Sequence, residues 1–257
     1  MATSESIERK PASAGVIGAG VMGSGIAQTL ASAGFSTRCF DISPDALVAG
    51  REAVATGHYG LSRSVELGKT SREDADDALA RLEFTDDLEH ACATDLIVEC
   101  VPEHLDLKIR TFRDLDRLAP ERSILASNTS GFSIAAIGAA TDRPEHVIGW
   151  HWASPPVISK FAEVIRSRET ADACVETVVD TANRCGKHPV VIQDSAMTWG
   201  FVANRVYGAM IREAGRCVEE GIASHADVDQ LMVDCFRWPV GPFGMAKGAT
   251  TGWKNKK

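Results

Sequence analysis

The chain has 257 residues, 44% of them hydrophobic and 24% charged, a composition that makes a globular protein with one large and one smaller domain. A formal net charge of -8, with no Lys/Arg stripe before the last few residues, argues against a nucleic-acid partner. The seven cysteines include no C-x-x-C pair, which argues against a disulfide framework and a zinc site, and no apolar run suits a membrane span.

The N-terminal residues lack an apolar signal-peptide core and carry acids that a transit peptide avoids, so a cytoplasmic location is expected. From Ala14 the residues Ala-Gly-Val-Ile predict a short strand, followed by a glycine turn and a small-residue helix over Ser24 to Ala33. A second strand, Ser36 to Phe40, ends at Asp41, and Ser43-Pro44 supplies a cap with proline at the first helical position. Residues 45 to 81 read as a helical insertion without a strand, Ser71-Arg-Glu-Asp capping a helix over Ala75 to Leu82. Strand patterns resume at Asp95 to Val101 and Ser123 to Ser127, with an amphipathic helix over Leu105 to Leu118 between them. Three more apolar segments, His146 to Trp150, Phe161 to Ile165 and His188 to Gln193, extend the sheet around a helix near Ala171 to Cys185. Helices over Phe201 to Glu220 and Ser224 to Phe236 follow. The expected fold class is α/β, a Rossmann doubly wound and mostly parallel sheet over residues 1–194, with a smaller all-helical domain over 195–257.

The sequence Gly18-Ala-Gly20-Val21-Met22-Gly23 follows a strand and opens a helix, the context of a dinucleotide-binding turn. Gly18 allows the tight turn, Gly20 lets a pyrophosphate approach backbone N–H groups, and Gly23 lets helix and strand pack closely. Asp41, roughly 20 residues on, suits a ribose with both hydroxyls free and repels a 2′-phosphate, so NAD is the expected cofactor. Arg38, three residues earlier, is the one charge that speaks for NADP, unless it is a solvated strand residue.

Four further stretches, in order, resemble the 3-hydroxyacyl-CoA dehydrogenase family: Val-Glu-Cys-Val-Pro-Glu103, Ser-Asn-Thr-Ser130, His151-Trp-Ala-Ser-Pro-Pro with Glu163 downstream, and Gly-Phe-Val-Ala-Asn204-Arg. The resemblance runs from about Ala14 to Gly244. It implies oxidation of a 3-hydroxyacyl-CoA to the 3-oxoacyl-CoA with NAD. It also implies an acid/base role for His151, oriented by Glu163, because removing hydride from carbon requires a proton to leave oxygen. Ser130 and Asn204 are implied to hydrogen-bond the substrate oxygen. Glu103 and Lys108 are implied to flank the nicotinamide end, although the residues alone also fit a helix-surface pair of charges. The insertion at 45 to 81 matches the family's CoA-binding region, where Tyr59, Arg63 and Lys69 are candidates and Lys69 is retained. The other histidines, His146 among them, read as surface or loop residues. A homodimer built through the second domain is implied as well.

Some positions depart from the family pattern. Ser154, counted with the cofactor contacts, stands where the family has asparagine, and Trp152 with Ala153 replaces an aromatic pair, so the pocket beside the nicotinamide is expected to differ in shape. Asp194 to Gly200 lacks the usual proline, which makes Trp199 a candidate for the cleft or the hinge. After Gly244 only a short tail is expected, against further helices in relatives. These departures keep open a dehydrogenase of a free hydroxy acid, of the gulonate or carnitine type, and a dinucleotide-binding protein without turnover.

Overall fold

The computed structural model describes residues 10–195 and 199–251, the side chains of 249–251 excepted. The described chain divides into two compact units, residues 1–198 and 199–257. In the first, the elements in order are β1 (Ser13–Ile17), α1 (Val21–Ser32), β2 (Ser36–Phe40), α2 (Pro44–Thr56), α3 (Leu61–Glu66), α4 (Arg72–Ala80), β3 (Leu82–Thr85), α5 (Leu88–Cys92), β4 (Leu96–Glu99), α6 (Leu105–Leu118), β5 (Ile124–Ser127), α7 (Ile134–Gly138), β6 (Val147–Trp152), β7 (Phe161–Arg166), α8 (Asp172–Arg184) and β8 (His188–Gln193).

Among the described residues eight strands form one sheet in the order β3-β2-β1-β4-β5-β6-β7-β8. The first six run parallel, β7 runs antiparallel to β6, and β8 runs with β7. Strands β1, β4 and β5 are short, mostly apolar runs in which every position but Ser13 is buried, as suits inner strands of a parallel sheet. The chain leaves β1 toward β2 on one side and returns to β4 on the other, so the carboxyl ends of β1 and β4 border the crevice where such sheets bind ligands.

Strand β3 directly follows the helical insertion, where no strand is expected from the sequence. It has four residues, pairs with β2 alone and is only partly buried, so its sequence carries little of the apolar signal of an inner strand. Helix α1 starts at Val21 and not at Ser24, immediately behind the glycine turn. The caps foreseen at Ser43 and Ser71 form, their hydroxyls accepting from the N–H groups of Ala46 and Asp74.

The second unit contains α9 (Val202–Glu219), α10 (His225–Phe236) and α11 (Pro242–Thr251). Ser224 and Asp227 form a reciprocal capping box at the start of α10. Helix α11 occupies the region expected to be a short tail. Its first N–H groups, of Phe243 and Gly244, donate to the Asp229 carboxylate on α10 at 2.8 and 2.9 Å, so its cap comes from a distant residue.

Candidate active site

The glycine turn does its work through missing side chains. Gly18 has φ +111°, and a Cβ there would also strike the Cys100 carbonyl oxygen at 2.8 Å. A Cβ on Gly23 would come within 1.7 Å of the Gly18 oxygen. At Gly20 a Cβ would meet nothing within 4 Å, so open space lies in front of the helix N-terminus. No side chain caps α1, which leaves its first N–H groups and positive dipole end for an anion. The exposed Val21 and the half-buried Met22 open this helix.

Asp41 stands beside the turn, its Oδ2 accepting from Ala19 N–H at 2.8 Å and its Oδ1 from Ser43 N–H at 2.9 Å. Arg38 donates to the carbonyls of His90 and Ala93 at the end of α5, so its guanidinium serves that helix terminus and not a 2′-phosphate. This arrangement fits NAD: N–H groups for a pyrophosphate, clear space before Gly20, and a carboxylate for the ribose.

At the next strand ends, side chains take over. Glu99, last in β4, is fully buried, and Ser127 of β5 lies opposite it in the register. Glu99 accepts from Ser127 Oγ at 2.6 Å, from Lys108 Nζ at 2.7 Å and from Val101 N–H at 2.8 Å. Burial pushes its carboxyl above the ordinary glutamate value, opposed by Lys108 and by the donated hydrogen bonds. Lys108 is not the helix-surface charge that the residues alone allowed. It is 1% exposed, and its ammonium also reaches the Val101 oxygen and lies 3.9 Å from Glu103.

Glu103 in turn holds the Ser-Asn-Thr-Ser segment, accepting from Thr129 Oγ1 at 2.5 Å and from Ser130 N–H at 3.0 Å. Asn128 accepts from Trp152 N–H at 2.9 Å and ties that segment to β6. Three of its four side chains thus reach other elements, and Ser130 is left with a hydroxyl that makes no hydrogen bond among the described residues.

His151 and Glu163 face each other directly across the antiparallel β6–β7 pair. His151 Nδ1 and Glu163 Oε2 are 2.8 Å apart, at 6% and 4% exposure. The Phe161 ring meets the imidazole edge-on at 5.4 Å. Because side chains alternate along a strand, Trp150 and Trp152 point to the other face. There they join the apolar core with rings 4.8 Å apart. Trp152 is therefore a core residue, which corrects the expectation that it reshapes the nicotinamide pocket. His146, read as a surface or loop residue, is also buried, in the turn that leads into β6.

The first unit thus gathers Gly18, Gly20, Gly23 and Asp41 at one pair of strand ends and links Glu103, Lys108 and Ser130 through one set of contacts, while His151 and Glu163 form a separate pair whose strand β6 is tied to that segment by Asn128. Ser154 is exposed in the β6–β7 connection. Lys69 is exposed after α3, while Arg63 pairs with Glu66 at 2.7 Å. Asn204 is exposed on the first turn of α9 in the second unit. Sequence reasoning missed Glu99, Ser127 and Asn128 as site-building residues. An acid inside the otherwise apolar run Leu-Ile-Val-Glu was the available signal, since such a group must be paired when buried.

A dinucleotide turn at the switch point of a Rossmann sheet, with a histidine and a carboxylate at neighbouring strand ends, defines an NAD-binding dehydrogenase. Residues 13–195 match the family described as 3-hydroxyacyl-CoA dehydrogenase, NAD binding domain, and residues 200–256 match the C-terminal domain of the same family. The chain belongs to the 3-hydroxyacyl-CoA dehydrogenase family. It is 39% identical to a probable 3-hydroxybutyryl-CoA dehydrogenase from Bacillus subtilis, over 90% of this chain and 78% of that one. It superposes on the (S)-3-hydroxybutyryl-CoA dehydrogenase of Ralstonia eutropha with a TM-score of 0.87 at 34% identity, covering 93% of this chain and 82% of that one. A 5-formyl-3-hydroxy-2-methylpyridine 4-carboxylate 5-dehydrogenase from Mesorhizobium japonicum is 34% identical over 88% of this chain and 70% of its own length. The activity of the family, NAD-dependent interconversion of 3-hydroxyacyl- and 3-oxoacyl-CoA, is the activity of this chain.

Proposed function

We propose that His151 and Glu163 are the acid/base pair of this reaction and that the substrate is a short 3-hydroxyacyl thioester such as 3-hydroxybutyryl-CoA. The observation that supports the pair is the buried 2.8 Å contact between Nδ1 and Oε2. A carboxylate at Nδ1 fixes the proton there, turns Nε2 into the acceptor for the substrate hydroxyl, and stabilises the imidazolium that forms. NAD, when bound, supplies the acceptor for the hydride that leaves carbon. The Ser130 hydroxyl donates to the substrate oxygen, favouring the charge that develops on it.

Backbone N–H groups at Val21 and Met22 hold the pyrophosphate and Asp41 holds the ribose. Glu103, fixed by Lys108, borders the nicotinamide end together with Ser154. Lys69 sits on the insertion that receives the CoA portion. The second unit is the substrate and dimerisation domain; the exposed Val202, Val206 and Tyr207 of α9 and Leu231 and Phe236 of α10 support a homodimer. A cytoplasmic location agrees with free cysteines and with helices of which, among the described residues, none is long and apolar enough to cross a membrane.

The test is oxidation of NADH by the purified protein with acetoacetyl-CoA, run beside free acetoacetate. Turnover of the thioester is expected. Unchanged NADH absorbance across a range of pH refutes the substrate assignment. Preference for the free acid transfers it to the second reading, which the pyridine-carboxylate substrate in the name of the Mesorhizobium relative favours.

A further inference from the structure

Lys187, between α8 and β8, is 4% exposed, and no carboxylate pairs with it among the described residues. Its ammonium donates to two main-chain oxygens of the β6–β7 connection, those of Pro156 and of Ser159, the latter at 2.6 Å. The same ammonium lies 4.7 Å from the centre of the Trp152 ring, within cation–π range. Burial pushes the lysine below its ordinary value, so the charge depends on these partners.

The Pro156 ring also meets the nucleotide-binding helix. A Cβ on Gly25 of α1 would come within 2.6 Å of the Pro156 ring, so the ring packs where only glycine leaves room. The connection that joins the strand of His151 to the strand of Glu163 is therefore held both by α1 and by a buried cation. A lysine serving only the core would not need to be charged, and burying a charge is costly unless it is hydrogen-bonded.

We propose that Lys187 is a positioning residue: it clamps the β6–β7 connection against α1 and thereby sets the His151–Glu163 pair in register with the cofactor that α1 holds. The inference rests on the acid/base reading of that pair. Lys187 touches neither reacting atoms nor cofactor and acts through the segment it fixes. Misplacement of a catalytic group by about 1 Å costs up to ~100-fold in rate.

The test compares Lys187→Met and Lys187→Arg with the unaltered full-length chain, using kcat, KM for NAD and thermal melting. Lys187→Met is expected to lower kcat by about 10-fold or more while KM for NAD changes less than ~3-fold. Lys187→Arg, which keeps a cation and several donors, is expected to recover most of the loss. A lower melting temperature with kcat per folded molecule unchanged overturns the proposal. Should Lys187→Met not fold, Gly25→Ala displaces Pro156 through its ring contact with α1. A selective loss of kcat there supports the clamp, and an unchanged kcat overturns it. His151→Gln run in parallel separates the two readings: if it stays active, the acid/base assignment fails; if it is inactive while Lys187→Met is normal, only the clamp fails.

Discussion

Between β1 and α1 the protein makes room by leaving side chains out, whereas between β4 and β7 it fills the interior with side chains that hydrogen-bond one another. The glycine turn needs Gly18 at positive φ and Gly23 against the Gly18 carbonyl, while nothing stands in front of Gly20. Across the sheet, Glu99, Lys108, Ser127, Asn128, Thr129 and Glu103 form bonds that end beside Ser130 and β6. A pyrophosphate needs backbone N–H groups and volume, and glycine supplies both. Proton transfer needs fixed side-chain atoms, and fixing them in a dry interior requires that each polar neighbour have a partner.

The two regions should therefore fail differently. Gly23→Ala should have the larger effect. Its Cβ collides with main chain and not with a flexible tip, so stability should fall by about 3 kcal/mol. NAD affinity should fall at least ~10-fold as the turn is displaced, about 1.4 kcal/mol of lost backbone hydrogen bonding. Calorimetric titration with NAD and thermal melting check both, and wild-type affinity would remove the close-approach argument. Ser127→Ala should do less and do it elsewhere. It withdraws one donor from the buried Glu99 carboxylate, costing about 1–3 kcal/mol and lowering Tm by about 5 °C. NAD affinity should stay within ~2-fold, since that network does not form the turn. If Ser127→Ala weakened NAD binding as much as Gly23→Ala, the division between the regions would not hold.

The same contrast explains how much could be read from the sequence. The glycine turn is local, six consecutive residues whose spacing carries its geometry, with Asp41 at the next strand end. The strands that carry His151 and Glu163 were legible as apolar segments, and their residue types as acid/base chemistry through the family resemblance. The bonds that hold them were not. Ser127 meets Glu99 across 28 positions of chain and Trp152 meets Asn128 across 24, and no spacing rule spans such distances. For Lys108 the residues alone also fit a helix-surface charge, because its partner Glu99 lies on the preceding strand. Trp152 was misplaced for a simpler reason: alternation along β6 puts it on the face opposite His151, but that parity is usable only once the strand is known to run through Trp152. Strand β3 and helix α11 escaped notice because one is a short edge strand and the other takes its cap from Asp229.

The account stands most directly on whether His151 and Glu163 act as one unit, and a double-mutant cycle on turnover of acetoacetyl-CoA by NADH measures that. His151→Gln should lower kcat by about 1,000-fold and Glu163→Gln by less, both with NAD affinity preserved. The double variant should be within ~2-fold of His151→Gln alone, because a carboxylate that works through the imidazole has nothing left to do once the imidazole is gone. Losses that multiply in the double variant, or a His151→Gln enzyme that keeps its rate, would contradict the account.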